Sequence, residues 1–221
     1  MNLIMLGHTG SIGHYIFNKY KNQGFNITGY SSKDFNAESD SDVKNIAEKI
    51  RNTKKIDGFI NCMGVVDLPE YKNVVSFNKL LNINLKAAFA LSVAAAENMK
   101  SHKSGSIINI GSIASNNVRI GRVGYTATKA GLEGLTRALA IEYAQYNIKI
   151  NCVAPGPTET DLLRNTLSKK DFKNLITLMP MQNLVQPNDI YTTVDFILTK
   201  NNCITGQTIV VDGGLSIKSN F

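Results

Sequence analysis

The sequence predicts an α/β protein of the Rossmann-like kind: a doubly wound parallel sheet of six to seven strands with helices on both faces. Two observations carry that expectation. Short apolar runs alternate along the whole chain with longer stretches of helical period, the pattern of repeated βαβ units. A glycine-rich turn joins the first apolar run to the first helical stretch, the context in which open α/β sheets bind dinucleotides. With 221 residues, 43% hydrophobic and 19% charged, the chain has enough apolar material for a full core and is expected to form one domain over 1–221.

The strands read in order as Leu3–Leu6, Asn26–Tyr30, Asp57–Asn61, Ser106–Ile110, Lys149–Val153 and Thr208–Val211. Each is rich in Ile, Val or aromatic residues and is bounded by Gly, Asn or Ser. The helices read as His14–Asn22, Asp42–Arg51, a long stretch around Phe77–Lys100 and another at Tyr125–Tyr146. In the last of these, Leu132, Leu135, Leu139 and Tyr143 recur at three- and four-residue spacing, so they share one face. Thr158–Pro187 looks inserted, polar at first and apolar around Leu175–Met181, and suggests a substrate loop.

Composition narrows the function classes. The amino terminus has no basic region followed by a cleavable apolar stretch, and the longest nearly apolar run, Ala87–Ala96, is short of the roughly 20 residues that span a bilayer. A cytoplasmic protein with no membrane partner is expected. Cys62, Cys152 and Cys203 form no CxxC pair, and no Asp/Glu/His cluster suggests a metal. The three are expected as buried small hydrophobes. The 24 basic and 17 acidic residues give a net charge of +7, but the basic residues come singly or in pairs without interleaved aromatics. An acidic or phosphorylated ligand suits that charge better than nucleic acid does.

Gly7, Gly10 and Gly13, with Ser11 and Ile12 between the last two, follow a strand and open a helix. Glycines allow a tight turn and let backbone N–H groups approach a pyrophosphate at the positive end of that helix. Three glycines in seven residues also serve a plain strand-to-helix connection, so this turn alone leaves both readings open. His8 and His14 flank it, with contact to a phosphate as one reading and surface helix-start residues as the default.

Tyr125 and Lys129 are four apart at the start of a helix and can meet a common ligand. An unperturbed tyrosine titrates near 10, and a neighbouring ammonium lowers such a pKa by about 1–3 units, which would make Tyr125 a usable acid or base. Ser112 follows the strand Ser106–Ile110 at the carboxyl edge of the sheet, where its hydroxyl could hold a substrate oxygen. Taken singly, the pair fits an ordinary amphipathic face and the serine a turn or cap.

With these residues in order, the chain resembles the short-chain dehydrogenase/reductase family over nearly its whole length. Gly7–Gly13 resembles the cofactor glycine motif, and Asn61-Cys-Met-Gly64 resembles the Asn-Asn-Ala-Gly segment. Asn84 stands where the family carries a helix asparagine. Ser112, Tyr125 and Lys129 match the catalytic serine and the Tyr-x-x-x-Lys pair. Asn151-Cys-Val-Ala-Pro155-Gly156 and Thr160 are similar to the segment that covers the nicotinamide, and Gly206–Gly214 to the last strand and its exit. The pattern is closest to members that resemble 3-oxoacyl-(acyl carrier protein) reductases.

The resemblance implies an NAD(P)-dependent enzyme that interconverts a ketone and a secondary alcohol, acting on a small-molecule or carrier-bound substrate as a homotetramer or homodimer. It implies Tyr125 as proton donor or acceptor, Ser112 as holder of the substrate oxygen, and Lys129 as ribose ligand and modulator of the tyrosine. Asn84 would hold a water linking Lys129 to solvent; the other reading is a helix-interior asparagine bonded to backbone. A non-catalytic dinucleotide-binding sensor or scaffold is the alternative function, which has no need of Asn84, Ser112, Tyr125 and Lys129 together.

Three departures stand out. The family's middle glycine aligns with Ser11, which makes the turn Gly-x-x-Gly-x-x-Gly. The crossover helix after the second strand has no room, because Asp34-Phe35-Asn36, which resembles the family's third strand, follows almost at once; that strand is expected to be shortened or displaced at the sheet edge. Finally, the second strand ends in Ser31, Ser32 and Lys33, with no carboxylate before Asp34. Two hydroxyls and an ammonium favour the 2′-phosphate of NADP(H) over NAD(H), with Asp34 on the adenine side.

Overall fold

A computed structural model describes residues 1–66 and 72–218. Six parallel strands form one sheet in the order β2-β1-β3-β4-β5-β6: β1 (Asn2–Leu6), β2 (Asn26–Tyr30), β3 (Gly58–Asn61), β4 (Gly105–Ile110), β5 (Ile148–Pro155) and β6 (Thr208–Val211). The helices are α1 (Ser11–Asn22), α2 (Asp40–Arg51), α3 (Val74–Leu81), α4 (Ala87–Lys100), α5 (Val123–Tyr143), α6 (Asp161–Thr166), α7 (Lys169–Leu178) and α8 (Pro187–Asp195).

Period-two alternation along the strands makes two apolar layers. Ile4, Leu6, Phe59, Ile107 and Ile150 pack with Val43, Ile46 and Ile50 of α2, Leu91 of α4 and Leu139 of α5. On the other face Leu3, Met5, Ile60, Ile108 and Val153 pack with Ile16 and Tyr20 of α1 and Ile190 and Val194 of α8. Helix α2 shows why its residues fold as they do. Ser39 caps it by accepting the Asp42 N–H, Asp40 and Asp42 stand at its positive end, Lys49 and Arg51 at its negative end, and Val43, Ile46, Ala47 and Ile50 make the buried stripe.

The residues 34–36 are not a strand. Between β2 and α2 only 31–39 are available, too few for a crossover and a further parallel strand, so they turn, and β2 is the sheet edge. Phe35 still enters the core, on the α2 side.

Between α3 and α4 the chain makes one π turn, Asn82–Lys86, so helix runs unbroken from Val74 to Lys100. That helix is long and apolar enough to cross a membrane by length and composition, although half of its apolar window is buried inside the protein. The segment Thr158–Pro187 leaves β5 and is clipped at its base, where Thr158 and Val185 form a parallel bridge, Glu159 N–H donates to Val185 C=O at 2.8 Å and Val185 N–H to Pro157 C=O at 3.0 Å. Helices α6 and α7 lie inside that excursion.

Candidate active site

The register brings the carboxyl ends of the central strands level: Leu6 pairs with Asn61, and Asn61 with Asn109. Beyond that edge, where open α/β sheets take ligands, lies a cavity of about 650 Å³. It is lined by Gly10, Ser11, Ile12 and Gly13 at one end, by Gly64, Pro155, Gly156 and Thr160 along its sides, and by Ser112, Tyr125 and Lys129 at the other end.

The glycine turn is shaped by close approach. A Cβ on Gly13 would stand 2.2 Å from the Gly7 carbonyl oxygen, and one on Gly7, whose φ is +72°, would stand 2.7 Å from the Cys62 carbonyl oxygen. Gly7 is therefore a packing residue beneath the cavity. Helix α1 begins at Gly10 with no side-chain cap and no acid in its first turn, which leaves its first N–H groups and positive dipole end for an anion. The residues present thus fit the pyrophosphate of a dinucleotide.

The polar end is built by α5 and the loop after β4. Lys129 is buried, 4% exposed, and donates to the Ile110 carbonyl at 2.9 Å; its Nζ lies 5.8 Å from the Tyr125 ring centre. Ser112 Oγ accepts the Ala114 N–H at 3.1 Å, so its own proton remains for a substrate oxygen. Asn84 projects inward from the π turn, fully buried, at the kind of helix defect often found beside functional sites. Its Oδ1 accepts the Val65 N–H at 2.8 Å and its Nδ2 donates to the Val65 carbonyl at 3.0 Å and to Thr128 Oγ1 at 3.2 Å. Asn84 is thus bonded to backbone, at Val65 in the loop after β3.

Besides Gly7, five expected cofactor residues stand outside the cavity lining: Asn61, Ser31, Ser32, Lys33 and Asp34. Asn61 is fully buried, donating to Asn109 Oδ1 at 3.1 Å and accepting the Met63 N–H at 3.1 Å, so its side chain shapes the loop after β3 from below and does not line the cavity. Ser31 is buried as well. Its hydroxyl donates to Asp34 Oδ2 at 2.9 Å and accepts the Lys33 N–H at 3.3 Å, which removes it from the set of free hydroxyls at the end of β2. Asp34 is drawn back onto Ser31, whose N–H it accepts at 2.7 Å. Those two hydrogen bonds, backbone first, hold its carboxyl below the usual range. Ser32 and Lys33 are exposed at the tip of this turn.

Arg122, Cys62, Met63, Val66, Thr158 and Leu163 also line the cavity and were not singled out as ligand-contacting residues from sequence. Cys62 and Met63 carry a signal in the Asn61–Gly64 segment, and Arg122 in its place three residues before Tyr125. The Cys62 and Cys152 thiols are each pushed up to about 12 by burial; Lys129 opposes the rise at Cys62, and Glu133 adds to it at Cys152.

Residues 12–216 match the family model described as enoyl-(acyl carrier protein) reductase. The 3-oxoacyl-[acyl-carrier-protein] reductase FabG of Buchnera aphidicola subsp. Baizongia pistaciae is 31% identical over 97% of this chain and 87% of its own length. The 7alpha-hydroxysteroid dehydrogenase of Paraclostridium sordellii is 30% identical over 91% of this chain and 78% of its own. Among solved structures, ElxO with NADP bound superposes with a TM-score of 0.88 at 24% identity, covering 98% of this chain and 99% of that one, which fixes the same fold. With family match, relatives and the glycine turn in agreement, the chain belongs to the short-chain dehydrogenase/reductase family and is an NAD(P)-dependent oxidoreductase interconverting a ketone and a secondary alcohol.

Proposed function

We propose that the protein reduces the ketone of a small-molecule or carrier-bound substrate with NADPH in the cytoplasm, with Tyr125 as proton donor. The observation that carries this reading is the single cavity that joins the uncapped start of α1 to Ser112, Tyr125 and Lys129. A bound nicotinamide supplies the hydride; the chain aligns the carbonyl and manages the proton. Ser112 Oγ–H donates to the carbonyl oxygen, and Tyr125 Oη–H delivers its proton as negative charge builds there. Lys129, with one proton on Ile110 C=O, keeps two N–H donors for the ribose and the tyrosine side of the cavity. Asn84 holds the Val65 segment, and one lone pair of its Oδ1 remains for a water on the Lys129 side.

The 3-oxoacyl reductase and the acetoacetyl-CoA reductase among the relatives, the latter from Acinetobacter sp. and 32% identical over 77% of this chain, support a 3-oxo substrate class. Residues 158–187 serve as the substrate loop of a single domain, and Phe89 and Ile141, exposed on α4 and α5, support a homodimer or homotetramer formed through those helices.

Tyr125→Phe tests the reading. The change keeps the ring and removes the proton donor, so kcat should fall about 10²- to 10⁴-fold while NADPH affinity, read by titration, stays close to wild type. A variant that kept more than about a tenth of wild-type kcat would overturn the proton-transfer role.

A further inference from the structure

The cavity holds a cation that the proton relay does not use. Arg122 stands at the start of α5 with its guanidinium carbon 5.8 Å from the Tyr125 ring centre, the same distance as Lys129 Nζ, and it is half-buried. Among the described residues no carboxylate pairs with it, and no side-chain hydrogen bond engages it. A ring contact near 6 Å is a weak cation–π interaction and uses none of the guanidinium's five N–H donors.

The setting is unfavourable to a free cation. Burial draws the Arg122 pKa down, the Tyr125 oxygen opposes that, and neighbouring Arg119 adds to it. Among the described residues no carboxylate lines the cavity, which adds Lys129 to Arg122 as its second cation. A second recess of about 320 Å³ has Arg119 and Lys218 in its lining and, among the described residues, no acid. A desolvated, unpaired guanidinium costs free energy unless an anion completes it, and its planar fork matches a carboxylate or phosphate.

Resting on the ketone-reductase reading above, we infer that Arg122 is the substrate-recognition residue of this site, and that the preferred substrate is a small ketone carrying an oxyanion, a carboxylate or a phosphate, within a few bonds of the carbonyl. The anion seats on Arg122 while the carbonyl oxygen meets Ser112 and Tyr125. A neutral thioester or ester next to the ketone leaves the guanidinium unpaired.

The experiment compares kcat/KM for 3-oxobutanoate, its methyl ester and acetonyl phosphate in wild type, Arg122→Gln and Arg122→Lys, with NADPH. The wild type should favour an anionic ketone over the ester by about tenfold to a hundredfold, the range of one charge-assisted contact. That ratio should collapse towards one in Arg122→Gln and recover in part in Arg122→Lys. The two anionic arms separate carboxylate from phosphate. Calorimetric titration of the NADP⁺-loaded protein with 3-oxobutanoate and with acetonyl phosphate, oxidised cofactor with ketone being a pair that cannot exchange a hydride, reads the same contact without turnover, and Arg122→Gln should weaken the better ligand at least about tenfold. An ester reduced as well as the acids, or a ratio unchanged in Arg122→Gln, overturns the inference and leaves the reductase reading standing. Loss of all ketone reduction in a wild-type protein that still binds the anions overturns the reductase reading instead.

Discussion

Asn84 grips Val65 at both of its backbone polar groups, accepting the N–H at 2.8 Å and donating to the C=O at 3.0 Å. The pair ties the π turn between α3 and α4 to the loop after β3, and Thr128 of α5 is the third point of the clamp. Gly64, next to Val65, has Lys129 Nζ and Asn84 Oδ1 within 3.3 and 3.6 Å of where a Cβ would stand. The clamp therefore sets the wall against which Lys129 is held.

Asn84→Ala should thus lose both stability and turnover. The two backbone polar groups of Val65 lose their partner, while the Thr128 hydroxyl keeps its bond to the Tyr125 carbonyl, and a buried unsatisfied group costs about 1–3 kcal/mol. The free energy of unfolding should fall by an amount in that range, read as a lower urea midpoint at unchanged slope, and kcat should fall even where the variant is fully folded. Wild-type kcat in a destabilised variant would show that the clamp is structural only.

Much of this fold was legible because strand and helix periods are local. The six strand runs are bounded by their own Gly, Asn and Ser residues, and Tyr125 and Lys129 share a helix face by spacing alone. What escaped depends on contacts across the chain. The Asn61–Asn109 bond exists because β3 and β4 pair in that register, and no local pattern announces it. Ser31 looked free until the turn that replaces the expected strand folded Asp34 back onto it. Arg122 stands three residues before Tyr125 in the sequence, and only its place beside that ring, in a cavity whose described lining holds no acid, gives it a role.

The thiols give a second test of the packing. Burial pushes the Cys62 and Cys152 thiols up to about 12, so at pH 8 about one in ten thousand of each is thiolate. Cys203 is exposed. In native protein a chromogenic disulfide reagent should titrate one thiol quickly, and the remaining two only after unfolding. Rapid reaction of a second thiol in the native state would mean that the cavity wall at Cys62 opens to solvent.

We propose that cofactor choice is made at the end of β2, where the turn leaves Lys33 and Ser32 as exposed donors and Asp34 tied to Ser31. A carboxylate that accepts the Ser31 N–H and hydroxyl is directed along the chain, while the Lys33 ammonium is free to meet a 2′-phosphate. The charge-assisted contact contributes about 1.5–3 kcal/mol, which corresponds to about tenfold to a hundredfold discrimination. The ratio of kcat/KM for NADPH over NADH should therefore lie in that range in the wild type and fall to one or below in Lys33→Glu, because the new carboxylate repels the phosphate and accepts the ribose hydroxyls. Lys33→Glu lies on an exposed turn, so its unfolding midpoint should match wild type and any change in the ratio reports recognition. Equal efficiencies in the wild type, or the same ratio in the variant, would show that the phosphate is read away from this turn.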